Sequence, residues 1–453
     1  MAEKQLPLQF IKRIETLFPN DYSAFLEALL TPPATSIRLK NGVDTSNNDI
    51  VPWCKQGRYL ASRPQFTLDP LFHAGRYYVQ EASSMFLYQA LYKYVSPDAL
   101  VLDLCAAPGG KSTLISDYLS SDGFLISNEY VPQRANILSE NILKWGNPNC
   151  AVTNADSFRF AKLKGVFDVV VVDAPCSGEG MFRKDDVAIS EWSEENVSKC
   201  VERQKEILYN AWQCLADNGI LIYSTCTFND LEDERNIEWL IEEFGAEYLP
   251  LQPDDDWGVT EADYGYKFLP HKVRGEGFFL AVVRKTSSTG SCNIKLPKQL
   301  PPICKSALSW IVNPDNFKTI VSKDTVFAID KRYYPLIANM MSLSFNFLSI
   351  GIPVAVIMTG KSQTIIPHPA LPLSCSMNVD AFEHVEVDYK TAIAFLRHEA
   401  LLLQNVEKGY LCITFQGVPL GFVKNVGNRC NNLYPEHWRI RMNADDTEYH
   451  SIL

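Results

Sequence analysis

Between residues 100 and 224, short apolar runs alternate with helix-length stretches: 100–104, 124–127, 151–153, 166–172 and 219–224. A strand covered on both faces reads as an unbroken apolar run, and a parallel neighbour is reached only through a long crossover. This order therefore predicts a parallel sheet with helices on both faces, and residues 277–283 read as one more strand closing it. In open sheets of this kind ligands gather beyond the carboxyl ends of the strands. The residues that follow each apolar run are thus the place to look for chemistry.

The flanks add more. A chain of 453 residues exceeds one ordinary core, and at about 150 residues per domain it suggests two to four units. Apolar residues (46%) and charged residues (21%) stand at values usual for a soluble globular protein. Residues 6–30 carry apolar positions at helical spacing, interrupted at Phe18-Pro19-Asn20 and stopped by Thr31-Pro32-Pro33, which predicts two short helices. Ser36-Ile37-Arg38-Leu39 starts a strand. Residues 285–303 are rich in Ser, Thr, Lys and Pro and read as a linker. Beyond them, 389–404 has helical spacing, and 409–415 with 419–423 around Gln416-Gly417 reads as a hairpin.

The expected fold is therefore α/β. A Rossmann-like sheet spans 81–285, preceded by a helical and strand extension at 1–80 and followed, after a linker at 286–303, by an α+β region at 304–453. The amino terminus has acidic residues and no signal-peptide pattern, and no stretch is apolar enough to span a bilayer. Twelve cysteines occur singly, without a C-x-x-C pair. That spacing predicts reduced thiols in the cytoplasm and no metal site; no membrane partner is expected, and the chain is expected to be a monomer.

The net charge of −11 argues against a nucleic-acid partner, which needs basic surface to displace counterions. The distribution changes that reading. Residues 1–285 hold 27 Lys/Arg against 40 Asp/Glu, and residues 286–453 hold 15 against 13, so the balance moves from −13 to +2. A local RNA contact is expected in the carboxy-terminal part.

The run Cys105-Ala106-Ala107-Pro108-Gly109-Gly110-Lys111 joins the first predicted strand to a helix, and its small residues let backbone approach a nucleotide-like ligand. Gly110-Lys111-Ser112 also resembles the end of a phosphate loop, with residues 169–173 as its metal-binding strand, which opens a nucleoside-triphosphatase reading. A phosphate loop, however, needs Gly where Cys105 stands, and Pro108 removes an N–H donor from the phosphate cage. Glu129 at the end of the second strand can accept from both ribose hydroxyls, and Asp156 after the third can accept from the adenine amino group. Together these predict a nucleoside without a triphosphate.

Two further strands end on cysteines: Asp173-Ala174-Pro175-Cys176 and Ser224-Thr225-Cys226. Two thiols can then face one pocket. Carbon 5 of cytosine is too weak a nucleophile to take a methyl group from a sulfonium, but thiolate addition at carbon 6 turns the ring into an enamine that is strong enough. Asp173 can hydrogen-bond the ring nitrogen and exocyclic amine. The carbon-5 proton must then leave before the thiol is eliminated, which calls for a second, basic group, and Cys176 is placed for that step.

With these residues in view, the sequence resembles the Sun/Nop-type RNA 5-methylcytosine methyltransferases. The likeness rests on LDLCAAPGGKST, VVVDAPCSGEGMFRKD, YSTCTFNDLEDERNI and HAGRYYVQEASSM. It implies a class I methyltransferase fold, S-adenosylmethionine as cofactor and RNA as substrate. The cysteine of the Thr-Cys motif, Cys226, is implied as nucleophile, and that of the Pro-Cys motif, Cys176, as the group assisting release. Lys111 is implied near the target base and Arg134 near the cofactor. Arg183 and Lys184, at the end of the Pro-Cys motif, are assigned to RNA, as is the extension 1–80. There, Arg38-Leu39-Lys40 departs from the family's Arg-x-Asn. A DNA cytosine methyltransferase, with the Pro-Cys thiol as nucleophile, would leave Cys226 without a task.

Residues 367–371, 395–399, 420–424 and 434–441 resemble the tail of family members that act on small-subunit ribosomal RNA and carry a PUA-like RNA-binding module. The resemblance implies small-subunit ribosomal RNA, or the subunit itself, as partner, with transfer RNA as the alternative. Lys424, Arg429, Arg439 and Arg441, four cations against one acid between 424 and 441, are the expected contacts.

Overall fold

The computed structural model describes residues 6–288, 290, 292, 294, 296, 305–358, 364–442 and 448–453. The expected linker lies largely outside the described residues. Five parallel strands form where the apolar runs predict them: β1 (Leu100–Asp103), β2 (Phe124–Asn128), β3 (Cys150–Asn154), β4 (Phe167–Asp173) and β5 (Leu215–Thr225). They lie side by side in the order β3-β2-β1-β4-β5. The chain builds outward from β1 in both directions, so the crevice that binds ligands opens between β1 and β4. β6 (Phe278–Arg284) joins β5 antiparallel, and Gly265–Phe268 with Thr260–Ala262 continue that edge.

The helices are fixed by their ends and by one apolar face. Glu194–Cys214 starts at Ser193, whose hydroxyl accepts the Asn196 N–H, with Glu194 and Glu195 in its first turn. Its buried positions, among them Val197, Gln204, Leu208 and Trp212, recur every three to four residues. Pro132–Trp145 begins with proline in its first turn and ends at Gly146, φ 75°. Two apolar clusters, one containing Leu102, Val170 and Tyr223 and the other Val101, Val171 and Ile222, cover the two faces of the sheet. No helix among the described residues is long and apolar enough to cross a membrane.

At its other edge the sheet gains a strand that sequence periodicity did not reveal. β7 (Asn346–Ile350) pairs antiparallel with β3, Asn346 opposite Asn154 and Ile350 opposite Ala151. The stretch 304–453, expected as one carboxy-terminal unit, contains two sheets joined by a cluster that includes Val326, Val354, Cys412 and Phe422. Phe317–Ser322, Thr325–Asp330, Ile352–Met358 and Thr364–Pro367 form one antiparallel sheet, and Ile320, Ile329, Ile337 and Phe347 of this part share a cluster with Leu102 and Ile126. A second sheet consists of Glu383–Glu386, Gly409–Phe415, Val418–Asn425 and Cys430–Asn432. Its hairpin turns at Gln416 and Gly417, φ 51° and 73°, the pair of positive angles that a tight right-twisting hairpin needs. This sheet packs on an amino-terminal one made of Thr35–Leu39, Ile50–Val51, Cys54–Leu60 and Tyr77–Val79, with Phe395, Leu420 and Tyr434 beside Ile37, Leu39 and Tyr77.

The amino-terminal helices, Leu8–Leu17 and Tyr22–Leu29, form as expected. They bury Phe10, Ile14, Phe25 and Leu29 against Phe182, Trp192 and Phe228, residues of the segments that follow the two strand-ending cysteines.

Candidate active site

The strand-to-helix connection after β1 and the ends of β4 and β5 border one cleft of about 330 Å³. Its walls include Asp103, residues 105–108, Gly110, Lys111, Asp173 and Cys226, with Lys184 and Phe278 on the far side. Gly109 takes φ 119°, which turns the chain into the helix Gly110–Tyr118. A Cβ on Gly110 would come within 3.4–3.5 Å of Tyr78 and Gln80, so the loop passes close under the amino-terminal sheet. Not every loop amide is free for a ligand: Ala106 N–H already bonds the Asn128 carbonyl at 2.8 Å.

Asp103 is wholly buried at the floor of this cleft. One of its oxygens accepts the Ser112 hydroxyl at 2.6 Å, and the other, Oδ1, has no hydrogen-bond partner. Burial, with the negative charges of Asp173 and Glu129 in addition, pushes its pKa up to about 7 against the opposing effects of Ser112 and Lys111. Sequence reasoning missed this residue, although it ends the first apolar run. Lys111 reaches across the cleft, its Nζ 2.8 Å from Asp173 Oδ2 and 5.1 Å from the Phe278 ring centre. Burial alone would lower its pKa, but the Asp173 carboxylate outweighs that and the net direction is upward. Asp173 also accepts the Ser224 hydroxyl at 2.8 Å, so two neighbours fix its plane.

Glu129, Arg134 and Asp156 stand beside the cleft, at the carboxyl ends of β2 and β3, and are not part of its wall. Glu129 is buried; its Oε1 accepts the Val131 N–H at 2.9 Å and its Oε2 lies 3.7 Å from Arg134. Arg134 donates to the Ala107 carbonyl at 2.9 Å, tying its helix to the loop. Both act on Cys105, whose thiol is driven upward by burial first and by Glu129 second, while Arg134 opposes. Asp156 is exposed and caps the turn Ser157–Phe160 by accepting the Phe158 N–H.

The two thiols meet. Cys176 and Cys226 place their sulfurs 3.2 Å apart, partly buried, with Cys226 on the cleft wall. The Cys176 pKa lies well above that of a free thiol because of its hydrogen bond to Cys226, its burial, and the charges of Cys226 and Glu232. Around the two thiols stand two buried acids to which sequence reasoning gave no role. Glu179 accepts the Thr227 hydroxyl at 2.7 Å and the Phe228 N–H at 3.1 Å. Glu232 accepts the Ser177 N–H and the Gln204 amide, both at 2.9 Å. Their position three and six residues after each cysteine was the available signal.

The basic residues fall into two groups. Arg183, expected at RNA, is turned inward: its Nε and Nη2 grip Glu276 at 2.9 and 2.8 Å, and Nη2 also donates to the Gly275 carbonyl. A guanidinium buried in a two-pronged ion pair has no fork left for phosphate. Lys184 remains on the cleft wall, 3.7 Å from Glu276. Arg38 is likewise buried, bonded to Gln80 and Thr113 and lying 4.7 Å from the Trp145 ring centre, so it braces the loop helix against the amino-terminal sheet. Lys40 donates to the Trp145 carbonyl, and burial lowers its pKa. By contrast Lys424, Arg429, Arg439 and Arg441 are all exposed, with Lys424 over the Tyr410 ring and Arg439 3.3 Å from Glu436.

Comparison with known proteins adds three family matches. Residues 92–284 match the 16S rRNA methyltransferase RsmB/F family, residues 6–82 the N-terminal domain of 16S rRNA methyltransferase RsmF, and residues 382–440 the methyltransferase RsmF PUA domain. Ribosomal RNA small subunit methyltransferase F of Aliivibrio fischeri (strain MJ11) is 30% identical, covering 95% of this chain and 97% of that protein. Its namesake in Pectobacterium atrosepticum is 35% identical over 62% of this chain and 63% of that protein. Among solved structures, a methyltransferase homolog protein from Pyrococcus horikoshii is 26% identical, with TM-score 0.52 over 61% of this chain and 94% of that one. NSun6 from the same organism is 18% identical with TM-score 0.53, covering 63% and 100%, and shows the shared fold.

Proposed function

The chain belongs to the RsmB/F family of S-adenosylmethionine-dependent 16S rRNA methyltransferases, and from this premise we propose that it methylates carbon 5 of a cytosine in small-subunit ribosomal RNA through a covalent bond to Cys226. The observation that carries the proposal is the pair of thiols 3.2 Å apart at the edge of a cleft that also holds Asp173 and Lys111. One thiol alone would serve addition; two serve addition and release.

The cleft suits the cofactor. A buried carboxylate oxygen without a partner, Asp103 Oδ1, is matched by a cationic amino group, and Glu129 at the end of β2 is matched by ribose hydroxyls. Residues 105–111, Glu129, Arg134, Asp156 and Asp173 would hold it, and when bound it supplies a methyl group on a sulfonium.

The protein's own residues do the rest. Cys226, whose sulfur shares a hydrogen bond with that of Cys176, adds to carbon 6 as thiolate. Asp173, held by Lys111 and Ser224, accepts from the exocyclic amine, and the ring nitrogen takes the proton that Cys226 gives up as charge moves onto it. Once Cys226 is a thioether it carries no charge, and two of the causes that keep Cys176 protonated are gone. Cys176 then gives up its own proton to solvent and, as thiolate, takes the carbon-5 proton, while Cys226 leaves as thiolate.

The exposed cations of the carboxy-terminal sheet, Lys424 and Arg429, with Arg439 and Arg441 just beyond it, would bind the RNA backbone. The enzyme acts in the cytoplasm, as a monomer, on the ribosomal RNA or the assembling subunit. The test is bisulfite sequencing of total RNA from cells with and without the gene. Loss of one methylcytosine in small-subunit ribosomal RNA is expected; loss confined to transfer RNA would overturn the substrate, and no loss would overturn the reaction.

A further inference from the structure

The loops that carry the two thiols are held together by an exchange of carboxylates. Glu179 belongs to the loop of Cys176 and accepts from Thr227 and Phe228, the two residues after Cys226. Glu232 belongs to the segment of Cys226 and accepts from Ser177, the residue after Cys176. Each acid thus clasps the loop that bears the other thiol. Both are 0% exposed, and each is filled with donors. The second oxygen of Glu179 receives Trp192 Nε1 at 3.0 Å and Arg13 Nη1 at 3.4 Å, and that of Glu232 receives Asn229 Nδ2 at 2.8 Å. The contact between loops is close: Gly180 N–H bonds the Cys226 carbonyl at 2.9 Å, and a Cβ on Gly180 would stand 2.6 Å from the Gly277 carbonyl and 2.9 Å from that of Cys226. The Ser177 and Thr227 hydroxyls meet at 3.3 Å.

We propose that Glu179 and Glu232 are positioning residues that set the distance between the two thiols, and so the hand-over from covalent addition to release. A carboxylate is required because every partner is a donor. Glutamine presents one oxygen and one NH2 group, and the NH2 must then face Trp192 and Arg13 or the Phe228 N–H, none of which can accept from it. Loosening one clasp leaves Cys226 on the cleft wall but moves Cys176 out of reach. The step that suffers is release. This rests on the reading in which Cys226 adds and Cys176 releases.

The experiment reads the thiol pair separately from methylation. A monothiol-blind arsenical, phenylarsine oxide, bridges two thiols only when one arsenic atom can bond both. It is titrated against the full-length wild type, E179Q, E232Q and T227V, with C176A subtracting all other cysteines. S-adenosylmethionine binding by calorimetry reports that each variant is folded. The expected result is unchanged cofactor binding, arsenical affinity weakened about tenfold or more in E179Q and E232Q, and accumulation of an RNA–protein complex that survives denaturing electrophoresis. T227V, which removes one hydroxyl from the Glu179 clasp, carries the test if E179Q does not fold. Wild-type arsenical affinity in the folded variants would overturn the clasp. Weakened affinity without trapped RNA would uphold it and instead reject Cys176 as the releasing group.

Discussion

Cys176 and Cys226 are separated by 50 residues of sequence, yet their sulfurs stand 3.2 Å apart. This contact fixes what each alanine variant should do. Without Cys226 no adduct forms, so Cys226→Ala is expected to be inactive and to trap no RNA. Cys176→Ala can still add Cys226 and accept the methyl group, but lacks the group that removes the carbon-5 proton. It should accumulate a covalent protein–RNA complex. Gel mobility under denaturing conditions, after incubation with RNA and S-adenosylmethionine, distinguishes the two; trapping by Cys226→Ala alone would reverse the roles.

Asp103 gives the cofactor-free protein a pH-dependent stability. Its pKa rises from 3.8 to about 7, through burial first. The folded state thus holds a proton that the unfolded chain releases near pH 4. That contribution is complete below pH 4 and is lost as the pH rises to 7, at most about 4 kcal/mol. Asp103→Asn keeps the acceptor for Ser112 and cannot ionise. Its melting temperature should match the wild type at pH 4 and exceed it at pH 8. Equal melting curves at pH 8 would show that the buried acid carries no such cost.

Glu129→Ala should weaken S-adenosylmethionine binding by about tenfold or more, the effect of losing a charged acceptor for ribose hydroxyls. It also frees Arg134, 3.7 Å away. Titration calorimetry checks this, and tight ATP binding in place of S-adenosylmethionine would return the loop to the triphosphatase reading.

Two arginines expected to do the same work should behave differently. Arg183→Ala takes both hydrogen bonds of the ion pair from Glu276, 3% exposed, and leaves its charge only Lys184 at 3.7 Å. A loss of about 3–5 kcal/mol of stability is expected. Arg429→Ala, at an exposed position, should leave the melting temperature unchanged and reduce the salt dependence of RNA affinity by about one phosphate contact. Thermal denaturation and filter binding over a salt series separate them.

A fragment ending at residue 303 should be insoluble. It loses β7, which covers the edge of β3, and the side chains Ile329, Ile337 and Phe347, which cover Leu102, Ile126 and Phe160. Each buried side chain of this size contributes about 1.5–3 kcal/mol, and a domain has only about 5–15 to lose. Soluble expression with intact cofactor binding would restore the simple picture of a detachable tail.

The parts legible in the sequence were the local ones. An apolar run marks a buried strand by itself, and the residue that ends it lands at the functional edge of a parallel sheet, which is how Asp173, Cys176 and Cys226 were found. What needed the fold was pairing over long distances. Arg183 looks like a phosphate ligand beside Lys184 until Glu276, 93 residues away, is seen in its fork. Residues 346–350 make sense as a strand only beside 150–154. Glu179 and Glu232 are ordinary acids in sequence, and nothing local says that each accepts from the loop of the other.

The strand β7 also sets an order in time. Synthesis proceeds from the amino terminus at about 5–20 residues per second, and 196 residues lie between the end of β3 at 154 and the end of β7 at 350. For roughly 10–40 s the nascent catalytic sheet therefore has an open edge, with the unpaired N–H and C=O groups that invite another strand. The emerging chain must be kept apart from its neighbours on the polysome during that interval, and the arrival of residue 350 ends the exposure.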